Sequence, residues 1–209
     1  INAAVKLNGS VGSTSYGVLA ADEDGEAGRF FGAARLTHDF GDQSLGMLLT
    51  RVDRPWLDRE ATVLGIDHHW RPTPQLTIAT NVIGSDIEQS GTRTSDTGAT
   101  LLADYDMGDG WRQQWLGMHF GDQLQVNDFG YLARNDLNYG HWELRKRNTA
   151  LPADSAYSSH DWRFRIDALD NDHGLRLRRQ FRVTRISDLR DGGTKSSCST
   201  STAPAGTTC

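Results

Sequence analysis

Hydrophobic and polar positions alternate with a period of two along most of the chain. From Leu45 to Val52, Leu45, Met47, Leu49 and Arg51 interleave with Gly46, Leu48, Thr50 and Val52. From Thr62 to Trp70, Thr62, Leu64, Ile66, His68 and Trp70 share one side, and Val63, Gly65, Asp67 and His69 the other. Leu76, Ile78, Thr80 and Val82 oppose Thr77, Ala79, Asn81 and Ile83. The split is sharpest where His160, Trp162, Phe164, Ile166 and Ala168 oppose Asp161, Arg163, Arg165 and Asp167. It recurs with Leu175, Leu177, Phe181 and Val183 against Arg176, Arg178, Gln180, Arg182 and Thr184. Successive side chains of a strand point to opposite faces, so this pattern predicts half-buried strands. No stretch carries a convincing amphipathic helix. The nearest, Asp128 to Asn138, contains Gly130, a poor helix former.

The punctuation between these runs predicts how they connect. Asp39–Phe40–Gly41–Asp42, Arg71–Pro72–Thr73–Pro74, Met107–Gly108–Asp109–Gly110 and Asn171–Asp172–His173–Gly174 carry the residues of tight turns. Longer polar segments run from Ala21 to Arg29, Asp53 to Arg59, Gly84 to Gly98, Gly121 to Leu137 and Asn148 to Ser159. Short turns alternating with long loops predict an all-β, antiparallel up-and-down meander, a segment of an outer-membrane-type β-barrel. Roughly eleven strands of about ten residues are expected, the length a tilted strand needs to cross a bilayer. Residues 1–190 form this barrel segment, and Gln123 to Asn138 is expected as a large loop folded against its wall. Residues 191–209 are rich in Ser, Thr and Gly and read as a flexible tail or loop.

Composition narrows the class. Of 209 residues, 37 % are hydrophobic and 23 % charged, with 22 glycines, 5 prolines and a net charge of −5. No run of about 18 apolar residues occurs, which excludes a transmembrane helix. The acidic balance argues against a nucleic-acid partner, since phosphate neutralisation needs clustered base. A polar average suits a barrel wall, apolar outside and polar inside. Phe30, Phe31, Phe40, Trp56, Trp70, Tyr105, Trp111, Trp115, Phe120, Trp142 and Trp162 fall near strand ends, as an interfacial girdle requires. Alternating strands with aromatic ends also build soluble sandwiches, so a soluble secreted carbohydrate-binding module stays open as the rival. The chain begins with Ile1 and is expected to be a processed product or an excerpt. An odd strand count, where bacterial outer-membrane barrels are usually even, points to a miscount or an incomplete barrel.

Val126–Asn127–Asp128–Phe129–Gly130–Tyr131 resembles a signature in a family of uncharacterised bacterial proteins. These join an N-terminal family-9-like carbohydrate-binding domain to a C-terminal outer-membrane β-barrel. Arg35 to Arg54, RLTHDFGDQSLGMLLTRVDR, resembles a hairpin of that family. So does the opening Ala4–Val5–Lys6–Leu7–Asn8–Gly9 with Tyr16–Gly17–Val18–Leu19. The resemblance covers about residues 1 to 190 and carries no catalytic residues. It implies the outer membrane of a Gram-negative bacterium, with membrane lipid as partner. It also implies carbohydrate-related binding or passage, through a domain that would precede residue 1. The cysteine-bearing tail departs from the pattern.

Several constellations remain to be placed. Arg145, Arg147, Arg163, Arg165, Arg176, Arg178 and Arg182 fall on the polar face of three consecutive strands, with Glu143, Asp161 and Asp167 among them. Cross-strand neighbours lie about 5 Å apart, so these make one wall. The wall is a salt-bridge ladder, a lumen lining for anions or an acidic sugar, or a contact for lipopolysaccharide phosphates. Cys198 and Cys209 suit one small disulfide or two free thiols. Two cysteines without a nearby histidine make no zinc site. Asp104, Asp106 and Asp109 lack the register of a calcium loop and read as a polar turn. His68 and His69 are adjacent on a strand, face opposite sides and cannot chelate together. No metal or cofactor is expected. A barrel hydrolase drawing on His160, Asp161, Ser158 and Ser159, or on His119 and Asp122, is the remaining alternative. No nucleophile-elbow motif supports it, and a non-enzymatic protein is expected.

Overall fold

The computed structural model describes residues 1–25 and 27–203. It is all-β: twelve strands in an antiparallel up-and-down meander form one sheet, ordered as in the chain. They are β1 (Ala3–Val11), β2 (Thr14–Asp22), β3 (Phe30–Asp39), β4 (Gln43–Arg54), β5 (Arg59–Thr73) and β6 (Leu76–Gln89). Next come β7 (Thr92–Gly108), β8 (Trp111–Phe120), β9 (Leu137–Asn148), β10 (Tyr157–Asp170), β11 (Arg176–Leu189) and β12 (Thr194–Ala203). One 3-10 turn, Pro55–Leu57, interrupts them.

Two expectations need correcting. The segment from Gly84 to Gly98 is not a long loop. It is the end of β6, a two-residue turn and the start of β7. Ser90 (φ 51°) and Gly91 (φ 74°) are both left-handed, the geometry of a tight hairpin turn. Polar Ser85, Asp86, Ser95 and Asp96 masked the strand character because they extend it past the apolar stretch. The second concerns the tail. Residues 194–203 form β12, paired with β11 from Asp188↔Thr194 to Arg179↔Ala203. Backbone hydrogen bonds order it, and no apolar alternation announced it. This strand is the twelfth that periodicity did not count.

The chain divides into two units. Unit 1 is Ile1–Arg71, Ala79–Thr100 and His119–Leu137. Unit 2 is Pro72–Ile78, Leu101–Met118 and Asn138–Cys209.

In unit 1 the register sorts the side chains into two faces. The rows Leu7↔Val18↔Ala34↔Leu49↔Leu64 and Gly9↔Tyr16↔Leu36↔Met47↔Ile66 lie on one face. Leu7, Val18, Leu36, Met47, Leu49, Leu64 and Ile66 are 41–58 % exposed there. The opposite face carries Lys6, Asn8, Ser10, Arg35, Thr37, Asp67 and His69 at the alternate positions. Gly46 on that face leaves room for a two-pronged pair in which Arg35 Nη1 and Nη2 reach Asp67 at 2.7 and 2.9 Å. A Cβ at Gly46 would stand 2.5 Å from the Asp67 carboxylate. At one end of the same face, Val52, Ala61 and Ile87 form a small buried cluster with Phe31 packed on it.

Unit 2 repeats the division. Trp142↔Ile166↔Phe181 and Leu144↔Phe164↔Val183 are rows of one face. Glu143↔Arg165↔Arg182 and Arg145↔Arg163↔Thr184 are rows of the other. Alternation on a pleated sheet therefore gathers apolar side chains on one face of each unit, with the Arg51–Glu60 and Arg179–Asp170 pairs at the strand ends of that face.

Candidate functional site

Two assemblies stand out, one in each unit. In unit 1 the connection from β8 to β9, residues 121–136, packs onto the polar face of the sheet. Leu124 is 2 % exposed, and Val126 is buried. Gly98 makes this approach possible: a Cβ there would lie 2.5 Å from Phe120 Cδ1 and 2.9 Å from Leu124 Cδ2. The connection starts where the Asp96 carboxylate accepts a hydrogen bond from the Gln123 amide at 2.8 Å. The Gln125 amide donates to Ser85 Oγ at 3.1 Å.

The signature segment supplies the rest of this anchorage, residue by residue. The Asn127 side chain accepts from the Leu132 amide at 2.6 Å and donates to the Leu132 carbonyl at 3.2 Å, closing the loop on itself. Asp128, its side chain only 8 % exposed, accepts from Arg59 Nη2 at 2.6 Å and Nε at 3.0 Å. Arg54 Nε stands 3.4 Å away on the same carboxylate. The Phe129 ring meets Phe31 at 5.9 Å between centroids. The Gly130 amide donates to the Val126 carbonyl at 2.9 Å. Tyr131 projects outward, 86 % exposed. Beneath the loop lies a cavity of about 220 Å³ lined by Arg59, Gln125, Asn127, Asp128, Arg134 and Asn135.

In unit 2 the charged face is an interleaved network. Asp161 takes Arg145, whose Nε lies 2.9 Å from both of its oxygens, and Arg163 at 3.3 Å. Asp167 takes Arg165 at 2.9 Å and accepts the Tyr139 hydroxyl at 2.6 Å. That same hydroxyl accepts from Arg165 Nη2 at 2.6 Å. Glu143 stands 4.0 Å from Arg165. His141 Nε2 lies 3.1 Å from Gln114 Oε1, and Gln114 Nε2 donates to Asp104 at 3.2 Å. Arg112 completes the run on Asp104 at 2.9 Å. A cavity of about 150 Å³ opens between Asp104, Arg112, Gln114, Glu143 and Arg145.

The expected wall is thus brought together, with one exception. A register shift between Leu169 and Asp170 lets β11 carry an extra residue, so Arg176 falls opposite Asp170 and outside the ladder rows. Tyr139, His141, Gln114, Asp104 and Arg112 belong to the network although the charge pattern did not name them. Extending the alternation of β9 back from Glu143 would have found the first two. Arg54 and Arg59, the partners of Asp128, lie about seventy positions away in sequence, and no local signal pairs them.

Other groupings come apart. His160 sits in the Trp162 and Phe164 series, with Nδ1 2.8 Å from Ser187 Oγ, while Asp161 faces the opposite side. Ser159 Oγ donates to Asp188 at 2.7 Å. These residues form no catalytic triad. Asp106 accepts from the Gly108 amide at 2.9 Å, as a turn residue does. Among the described residues no group of three or more His, Cys, Asp or Glu side chains could hold a metal ion. Cys198 is exposed on β12 opposite Thr184, and Cys209 lies outside the described residues.

Searches of protein-family models, of curated proteins and of solved structures find no match for this chain.

Proposed function

We propose that this chain is part of a non-enzymatic outer-membrane β-barrel of a Gram-negative bacterium, with its apolar face against lipid and its charged face lining an aqueous interior. One observation carries the reading. Leu7, Val18, Leu36, Met47, Leu49, Leu64 and Ile66 form an exposed apolar surface, with the Arg51–Glu60 pair at its margin, while the Arg35–Asp67 pair, small polar residues and the packed loop sit on the other side. A soluble sandwich does the reverse and buries its apolar rows between sheets. A lipid-spanning sheet has this polarity, because water is inside and hydrocarbon outside. Contiguous exposed apolar surface of this extent is otherwise rare on soluble monomers.

The loop of residues 121–136 then lies on the water-facing side of unit 1, and the arginine-rich wall on that of unit 2. The link to carbohydrate rests on the family resemblance alone.

Spin labels placed one at a time at Leu49, Leu64 and Phe164 test the reading in the full-length protein in lipid vesicles. Relaxation by a lipid-soluble quencher, with labels at Thr37 and Thr184 answering to a water-soluble one, is the expected result. Quenching of all five by the aqueous reagent alone would leave the soluble carbohydrate-binding module as the better account. An unheated sample of the outer-membrane fraction should also migrate differently from a boiled one on an SDS gel, as a closed barrel does.

A further inference from the structure

We propose that the charged face of β10 and β11 binds an oxyanion, the carboxylate of a uronic-acid-type solute or a phosphate, between Arg163 and Arg182. This rests on the reading of that face as water-lined, and it adds the class of solute. Register is the starting point. Arg145 lies directly opposite Arg163, and Arg165 directly opposite Arg182. Like charges in such positions repel and destabilise a sheet.

The first pair is compensated, because Arg145 and Arg163 share Asp161. The second is compensated on one side only. Arg165 has Asp167, the Tyr139 hydroxyl and Glu143 around it. Among the described residues Arg182 donates to the neutral Gln180 Oε1, at 2.9 Å, and to no carboxylate. Two positions beyond Gln180, Arg178 lies over the Tyr139 ring at 5.7 Å. The buried Nε atoms of Arg163 and Arg178 have no hydrogen-bond partner among the described residues. Across the three strands Arg145, Arg147, Arg163, Arg165, Arg178 and Arg182 meet Glu143, Asp161, Asp167 and Asp188. Asp188 is already engaged by the Ser159 and Thr194 hydroxyls.

The surplus charge therefore gathers on the β11 side, around Arg182. Thr184 stands opposite Arg163, and Thr200 opposite Arg182, which adds two hydroxyls to the same patch. A planar guanidinium matches a carboxylate or phosphate with two parallel hydrogen bonds, so this patch selects oxyanions over chloride. Arg163 is 39 % exposed, so binding is moderate in strength and weakened by salt.

The test is thermal unfolding of the full-length protein folded in detergent, at constant ionic strength. Chloride is exchanged for low-millimolar glucuronate or inorganic phosphate. The wild type should gain about 2–4 °C in its midpoint with one of the two, and which one responds identifies the class. Arg182→Gln should lose that gain and, in chloride alone, be at least as stable as the wild type. Arg182→Lys should keep the fold and less than half of the gain.

No response in the wild type, or an equal response in R182Q, overturns the proposal. So does R182Q being less stable in chloride, or both variants failing to fold, since Arg182 would then be a strut of the ladder. A barrel that shifts on the gel but ignores both anions defeats this site and leaves the membrane reading intact. An anion response without a gel shift does the opposite.

Discussion

Glu23 and Arg29 close the connection between β2 and β3 with a two-pronged pair, Nε and Nη2 reaching the carboxylate at 2.5 and 2.7 Å. The backbone is joined beside it, where the Glu23 amide donates to the Arg29 carbonyl at 2.9 Å. Hydrogen bonding from the guanidinium holds the Glu23 carboxyl below its ordinary value of 4.5. A carboxyl depressed by folding stabilises the structure above its unfolded value and loses that contribution as pH falls through the folded one. The connection should therefore be closed at neutral pH and open under acid. Hydrogen exchange at the Glu23 amide, corrected for intrinsic rate, should show protection at neutral pH and its progressive decline under acid, as pH falls below the ordinary carboxyl value of 4.5. Glu23→Gln should remove the difference between the two conditions. An unchanged protection factor in the wild type would show that the backbone alone holds the connection. The same scale explains Gly46 and Gly98, where the missing Cβ makes room for the Arg35–Asp67 pair and for Leu124.

At the level of elements, β4, β5, β10 and β11 were legible because each combines an apolar face with a polar one. Period two requires nothing else. The end of β6 and the start of β7 were not, because Asp86, Arg93 and Asp96 fill both faces there and imitate a loop. β12 was illegible for a related reason: serine and threonine occupy both of its sides. The arginine wall was readable from spacing, since neighbouring strands keep parity, but its membership at Arg176 depended on a bulge that spacing does not announce. The loop of residues 121–136 was visible as a segment, and Asn127, Asp128 and Gly130 were visible as a motif. What they do, a self-closing turn and an ion pair to Arg54 and Arg59, emerges only once β5 passes beneath them. That dependence predicts the effect of Asp128→Asn. It leaves two guanidinium groups facing an amide in a largely buried place and should cost about 3 kcal/mol, the lower end for breaking a buried pair. Denaturant unfolding would measure the loss, and limited proteolysis should place new cleavage within residues 121–136. Cleavage elsewhere, with that loop still protected, would show that Asp128 is not its anchor.

For the whole molecule, the sheet order gives β1 and β12 one paired neighbour each among the described residues. Together with the exposed apolar rows, unpaired backbone edges make the 209-residue chain a poor solute. Expressed alone without detergent it should aggregate, as size-exclusion chromatography and light scattering would record. A monodisperse monomer in plain buffer would contradict both this expectation and the lipid-facing assignment. Of the two edges, β12 differs in kind. Its strand reads Thr, Lys, Ser, Ser, Cys, Ser, Thr, Ser, Thr, Ala, so a slide of two positions along β11 sets nearly the same small hydroxyls against the same partners. Side chains elsewhere lock the alignment of neighbours, as Arg35 and Asp67 do. At this seam the side-chain ties are light: Thr194 donates to Asp188 at 3.1 Å and Gln180 to Thr202 at 3.4 Å, beside the ladder of peptide groups. β12 is thus held at its hairpin end, where Leu189 donates to Gly193 at 2.7 Å, and along its length by hydroxyls and amides where unit 1 uses a guanidinium and a carboxylate.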